Sequence, residues 1–291
     1  MGSAMTTHIT IAAEGRATLF VGAAAITTAA RLVARVGGER LELFAIVDDH
    51  VHLLVRGDGG GAASGMSRAM RAAGAAGLQH AFLRAVEGRT HHTSLIGYLC
   101  RQVVKHGLRE HPALYAGTCA PDLLGVRALA EFDARRIGES LPRLDVRAEA
   151  ARSCGVGPGA LRAATDAEIA AIGTARLWAI ARGAGGIVGS ERDYHAVAVR
   201  AAFASLATGS TSEVATATGL GDRMVRRLRS TEPDARLVEA IRRRVALCAW
   251  LEGQTDKVDR IPRDPVPSKP SCILPSRAAT PAHAGCAEPA T

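Results

Sequence analysis

Aromatic side chains are scarce in this sequence, which has five Phe, three Tyr and two Trp among 291 residues. Alanine and glycine fill much of the apolar share, so closely approaching helices are expected in place of a ring-filled core. Long apolar runs are missing too. No uninterrupted stretch approaches the length needed to span a bilayer, and there is no lipidation signal or basic amphipathic helix, so no membrane partner is expected. The N-terminus has neither the basic start nor the continuous apolar segment of a signal peptide. Six cysteines are scattered without C-x-x-C spacing. That pattern excludes a zinc knuckle or a disulfide framework and makes a reducing cytoplasm the expected location. Acidic residues are outnumbered by basic ones, 28 to 36, for a formal charge of +8. An excess of this kind points to a polyanionic partner, nucleic acid before membrane.

What is present begins with alternation. "THITIAAEG" reads as a strand ending in a turn at Gly15, and "ITTAARLVARVGG" as a helix stopped by paired glycines. "RLELFAIV" and "HVHLLVRG" read as two strands joined by a turn at Asp48-Asp49. The run "GDGGGAASG" looks like a flexible connection before a helix through "MSRAMRAAGAAGLQHAF", with a short strand in "FLRAVEG". "HHTSLIGYLCRQVVKHGL" places Leu95, Leu99, Val103 and Val104 at helical spacing and closes at Gly107. The order β-α-β-β-α-β-α describes an α+β unit, a small antiparallel sheet with helices on one face. Beyond about residue 130 only alanine-rich helices follow. The expected divisions are a sheet domain at 6–130, a helical linker at 131–195, a helical DNA-binding domain at 196–252 and a disordered tail at 253–291, which holds seven of the twelve prolines.

His50 and His52 stand one residue apart on a predicted strand, so both imidazoles project from one face. Such a pair can give a divalent metal two ligands, or it can simply pack and hydrogen-bond. Downstream, Tyr98 and Gln102 are four residues apart and share one helix face. Gln102 could add a carbonyl ligand, with Tyr98 holding its hydroxyl above the metal. A phenol is a poor nucleophile near neutrality, because its ordinary pKa is about 10. It becomes useful where a metal polarises a phosphodiester. A different reading takes "HIT" (His8 to Thr10) and "HHT" (His91 to Thr93) as two H-x-T elements, loosely like two-histidine phosphodiesterases. It explains neither "HVHLLV" nor the Tyr98 helix.

At these residues the chain resembles the HUH single-tyrosine transposases of the insertion-sequence-200 type, especially the REP-associated branch. The family's strand carries a histidine–hydrophobic–histidine element followed by "LLV", as "HVHLLV" does here. "YLCRQVVKHGL", Tyr98 to Leu108, keeps the tyrosine, a polar residue four later and the Gly-Leu end. "SRAMRAAGAAG" and "ALYAGTCAPDLLGVR" are similar to the flanking segments, and the resemblance covers roughly residues 6 to 130. Asp48-Asp49 stand where the family has proline-asparagine, and Gln102 where the branch has asparagine. The two aspartates add a ligand, obstruct phosphate approach or make the turn. The resemblance implies a ferredoxin-like antiparallel sheet (the HUH fold). It also implies Mg²⁺ or Mn²⁺ on His50, His52 and Gln102, and Tyr98 attacking single-stranded hairpin DNA to leave a 5′-phosphotyrosine and a free 3′-OH. Relatives act as monomers or homodimers.

"TSEVATATGLGDRMVRRLRS", residues 211 to 230, fits a helix-turn-helix. Val214 and Ala215 would pack the first helix, Gly219 makes the turn, and Leu220, Val225 and Leu228 continue the core. Arg223, Arg226, Arg227 and Arg229 lie on or beside the second helix, where they can meet guanine edges or phosphates of duplex DNA. An ordinary helical pair with a solvated basic face is the plainer alternative. Two functions of different class follow. One is a tyrosine transposase, an endonuclease and strand transferase of DNA transposition and recombination. The other is a domesticated, inactive HUH and helix-turn-helix DNA-binding protein.

Overall fold

The structure, a computed structural model, describes residues 5–189 and 193–254. The Pro-rich tail expected from 253 lies outside the described residues from 255 onward. The chain is α+β. Strands β1 (Thr6–Ala12), β2 (Leu41–Ile46), β3 (His50–Arg56) and β4 (Phe82–Ala85) form one antiparallel sheet in the order β2-β3-β1-β4. Helices α1 (Gly22–Gly37), α2 (Gly59–Ala72), α3 (Gly88–Cys100) and α4 (Gln102–Lys105) complete the β-α-β-β-α-β-α order read from the sequence. The short helices α5 (Ala120–Leu123), α6 (Arg136–Ser140), α7 (Val146–Ser153) and α8 (Asp166–Ala171) follow. The longer α9 (Thr174–Gly185) and α10 (Tyr194–Leu206) precede α11 (Thr211–Thr218), α12 (Asp222–Arg229) and α13 (Ala235–Glu252). No helix among the described residues is long and apolar enough to cross a membrane.

Three local expectations need correction. The glycine run is no connector, because α2 begins inside it: Asp58 caps the helix by accepting from the Gly60 amide. Gly59 is there for space, since a Cβ at that position would stand 2.6 Å from Thr7 Cγ2. Helices also cover both sheet faces. α2 rests on the side bearing Thr7 and Leu83 with α1 beside it, whereas α3 crosses the opposite side, where Tyr98 meets His52. All six residues of β2 are buried, so neither face can be left to solvent. The tyrosine helix, finally, is interrupted at Arg101 (φ −89°, ψ 3°), and Gln102 opens the next turn. Leu95, Leu99 and Val103 are buried, while Val104 is exposed because adjacent helical residues point about 100° apart.

The core changes over inside the stretch expected as a linker. Phe132, Ile137, Leu141, Ala150 and Leu161 pack with the sheet core, while Ala164, Ile169, Leu177 and Trp178 belong to a second, helical core. α13 serves both: Leu237, Ile241 and Val245 pack in the second core and Leu247 in the first. The outer edge of β2 is closed by the following loop, Ile46 donating to Gly117 O (2.7 Å) and Cys119 to Phe44 O (3.0 Å). A buried Asp122–Arg127 pair fixes that loop. Arg127 also donates to Ala116 O (2.6 Å) and Thr118 O (2.5 Å), and Asp122 accepts from the Leu129 amide. Burial lifts the Asp122 carboxyl above its ordinary value against the pull of Arg127.

Candidate active site

β3 is an inner strand, and its register decides which side chains face its histidines. His52 lies opposite Thr10 of β1 and Ala45 of β2; His50 lies opposite Ala12, and Leu54 opposite His8. Directly paired residues share a face, so His8, Thr10, His50 and His52 all project toward α3. There the two histidines of β3 meet edge to face, with Nε2 of His50 and Nε2 of His52 2.9 Å apart. Tyr98 brings its hydroxyl to 3.4 Å from His52 Nε2. Three of the four side chains singled out from the sequence as ligands and nucleophile, His50, His52 and Tyr98, are thus together.

The far nitrogens of the pair are held as well. His50 Nδ1 is 2.5 Å from Asp49 Oδ1 and donates there, which leaves its Nε2 to face His52. His52 Nδ1 lies 3.1 Å from Thr10 Oγ1 and 3.2 Å from His8 Nε2. With a proton on Nδ1, His52 turns a lone pair on Nε2 toward His50. Burial, then the nearby His50 and His8, hold the His52 imidazole well below its ordinary pKa. Burial and the charges of His91 and Arg84 push His8 down to about 4. Burial alone would raise the Asp49 carboxyl; the His50 bond and the charges of His50, His106 and Arg16 outweigh it and hold it low. His8 and His52 are therefore neutral at neutral pH, the form in which an imidazole can act as a ligand.

Gln102 is fully buried. Its Nε2 donates to Tyr98 O at 3.2 Å, and its Oε1 takes no hydrogen bond from the described residues. It is joined to the histidine pair through Tyr98. Two imidazole nitrogens 2.9 Å apart and a buried amide oxygen without a hydrogen bond among the described residues are donor types that a divalent cation takes.

Sequence reasoning missed His8 and Thr10 as partners of this site, along with His106 and Lys105. Lys105 Nζ stands 5.1 Å from the centre of the Tyr98 ring, and the His106 ring 4.9 Å from that of His50. A signal for His106 was available, because Tyr98, Gln102 and His106 recur every four residues. Of the two H-x-T elements, the first lies in β1. The second lies in α3, and His91 Nδ1 accepts the Glu87 amide. The four described cysteines, Cys100, Cys119, Cys154 and Cys248, are unbridged.

The second group of predicted residues lies on α12. Ser210 and Glu213 form a reciprocal cap on α11, and Gly219 (φ 68°) ends it in the left-handed region. Val214, Ala215, Val225 and Leu228 are buried and Leu220 is half-buried. Arg223, Arg226 and Arg227 point to solvent without a hydrogen bond or ion pair among the described residues. Arg229 is exposed but engaged, donating to the carbonyls of Ala207 and Gly209 and to Thr211 Oγ1. It ties the end of α12 to the start of α11. Comparison with protein-family models, with curated proteins and with solved structures finds no match for this chain.

Proposed function

We propose that this chain is a metal-dependent tyrosine endonuclease and strand transferase that cuts and rejoins single-stranded DNA. The observation that carries the reading is the convergence of His50 Nε2, His52 Nε2 and the Tyr98 hydroxyl on one face of the sheet. The β2-β3-β1-β4 order with its split β-α-β connections agrees with the ferredoxin-like sheet expected for HUH enzymes. His50, His52 and Gln102 would hold Mg²⁺ or Mn²⁺, which when bound polarises a scissile phosphate and offsets the charge that builds on it. The Tyr98 oxygen attacks phosphorus as the bond to the 3′ oxygen breaks. The phenol's proton ends on the leaving 3′-OH, and the DNA keeps a 5′ link to Tyr98. Lys105, with its Nζ 5.1 Å from the centre of the Tyr98 ring, puts a positive charge beside the site where a phosphate would bind. Attack by a 3′-OH on the phosphotyrosine reverses the step without ATP.

We read α11 and α12 as a helix-turn-helix that contacts duplex DNA, with Arg223, Arg226 and Arg227 on its open face. The test is covalent capture. The protein is incubated with labelled hairpin-bearing single-stranded DNA and Mn²⁺, then denatured. The wild type should carry label, whereas Tyr98→Phe should bind the oligonucleotide equally and carry none. Equal adduct in both proteins would sink the assignment. No adduct in either, with binding intact, would favour the inactive DNA-binding alternative.

A further inference from the structure

The turn between β2 and β3 carries two consecutive carboxylates on a backbone held by hydrogen bonds. Asp48 O accepts from Leu19 N (2.6 Å) and Phe20 N (3.3 Å), Asp49 O accepts from Ala13 N (2.9 Å), and Val47 N donates to His50 O (3.0 Å). His106 approaches from a different element, just past α4, where its amide donates to Gln102 O (3.0 Å) before left-handed Gly107 turns the chain away. One ligand atom from each of Asp48, Asp49 and His106 lies within 4.8 Å of the other two. His106 Nδ1 and Asp48 Oδ1 are 4.0 Å apart, too far for a hydrogen bond between them. Donor atoms around one cation with bonds of roughly 2.1 Å stand about 3–4 Å from each other, so a small inward movement of the exposed Asp48 side chain suffices.

We propose that Asp48, Asp49 and His106 form a second divalent-cation site beside the histidine pair. The three ligands come from segments more than 50 residues apart in sequence, so the grouping is made by the fold and is no accident of an acidic run. Asp49 stands between the two sites. Its Oδ1 accepts a hydrogen bond from His50 Nδ1, and its Oδ2 faces the exposed Arg16 guanidinium at 3.3 Å. Arg16 is largely in water, so it is a weak competitor for that carboxylate. Two carboxylates and an imidazole favour Mn²⁺ or Zn²⁺ over Mg²⁺ or Ca²⁺, because the nitrogen donor suits the softer ions. The site shares no ligand with the histidine pair and stands independently of the proposed strand transfer.

The test counts metal ions on the full chain without DNA, by Mn²⁺ titration followed by electron paramagnetic resonance. The wild type should bind two Mn²⁺, and Asp48→Asn with His106→Gln should bind one. His52→Ala should also bind one, and it should lose that ion when Asp48 and His106 are replaced as well. Circular dichroism confirms that the variants fold; Asp48→Asn is near-isosteric and exposed. Equal stoichiometry in the wild type and the Asp48/His106 variant would overturn the proposal. A single ion that persists in His52→Ala and vanishes in Asp48→Asn with His106→Gln would support this site while removing the histidine one.

Discussion

Nε2 of His50 and Nε2 of His52 face each other at 2.9 Å across the same side of β3. Each ring is fixed from behind, His50 by Asp49 and His52 by Thr10 and His8, so the two facing nitrogens are held in place toward one another. At that distance a single proton, or a cation, between the two nitrogens satisfies both. Burial holds the His52 imidazole well below its ordinary pKa, which leaves it able to give a lone pair to a proton donor or, under the proposed function, to a cation.

Thr10 should act on metal affinity through His52, without touching the ion. Replacing a group that orients a ligand imidazole commonly lowers affinity roughly 10–100-fold. Thr10→Val should therefore weaken Mn²⁺ binding at the histidine pair, and Thr10→Ser, which keeps the hydroxyl, should restore it. Calorimetric titration measures both. Affinity in Thr10→Val equal to wild type would mean that the 3.1 Å contact has no orienting role.

His8 should make the metal-free protein sensitive to acid. An unfolded histidine takes up its proton near 6.5, whereas folded His8 resists until about 4. Between those values the unfolded state binds more protons. Stability from neutral His8 is complete above pH 6.5 and is lost as pH falls toward 4, by on the order of 3 kcal/mol. His52, also held low by burial, adds in the same direction. Urea unfolding with a chelator present, at about pH 7.5 and about pH 5, should show the loss, and His8→Gln should shrink it. An unchanged pH dependence in His8→Gln would assign the effect elsewhere.

The open arginines of α12 should matter for DNA and not for folding. Arg223→Ala, Arg226→Ala and Arg227→Ala together remove three cations, so the log–log salt slope of duplex binding should fall by about 2–3. Their exposure predicts a stability change within about 0.5 kcal/mol. Arg229→Ala should do the opposite, destabilising the α11–α12 pair through its lost bonds to Ala207 and Gly209. Fluorescence anisotropy across a salt series and thermal melting distinguish the two groups. An unaltered salt slope in the triple variant would remove α12 from the DNA interface.

The Asp122–Arg127 pair should be costly to break. Asp122→Asn leaves a buried guanidinium without its counter-charge, which typically costs about 3–5 kcal/mol. Because Arg127 also holds Ala116 and Thr118 carbonyls, the loop that closes the β2 edge should loosen with it. Denaturant unfolding reports the loss, and hydrogen exchange at Ile46 and Cys119 reports the loosening. A variant as stable as wild type would show the pair to be replaceable.

Much of this molecule was legible from local pattern. Alternation in "HVHLLV" put His50 and His52 on one face, and that alone fixed their common direction. Tyr98 fell on a helix after the fourth strand as its spacing required, although the break at Arg101 was invisible because nothing in "CRQVV" violates helical preference. The glycines at 59–61 were misread for an understandable reason. Glycine lowers helix propensity, yet Asp58 capping and the close approach of Thr7 made a helix start there. The connector at 131–195 hid its division between two cores because alanine-rich helices carry no mark of which partner they will meet.

The sequence by itself determined the period of each element, the faces its side chains share, and the turn at Gly219 with its left-handed residue. Those are properties of a backbone within a few residues, where sterics and hydrogen bonds act locally. Only the tertiary structure decided that Thr10 and His8 stand behind His52, that His106 reaches the Asp48-Asp49 turn, and that Arg229 folds back while its neighbours stay open. Such pairings depend on strand register and on which apolar surfaces are buried together. Both are set by packing among residues tens of positions apart, which no local pattern encodes.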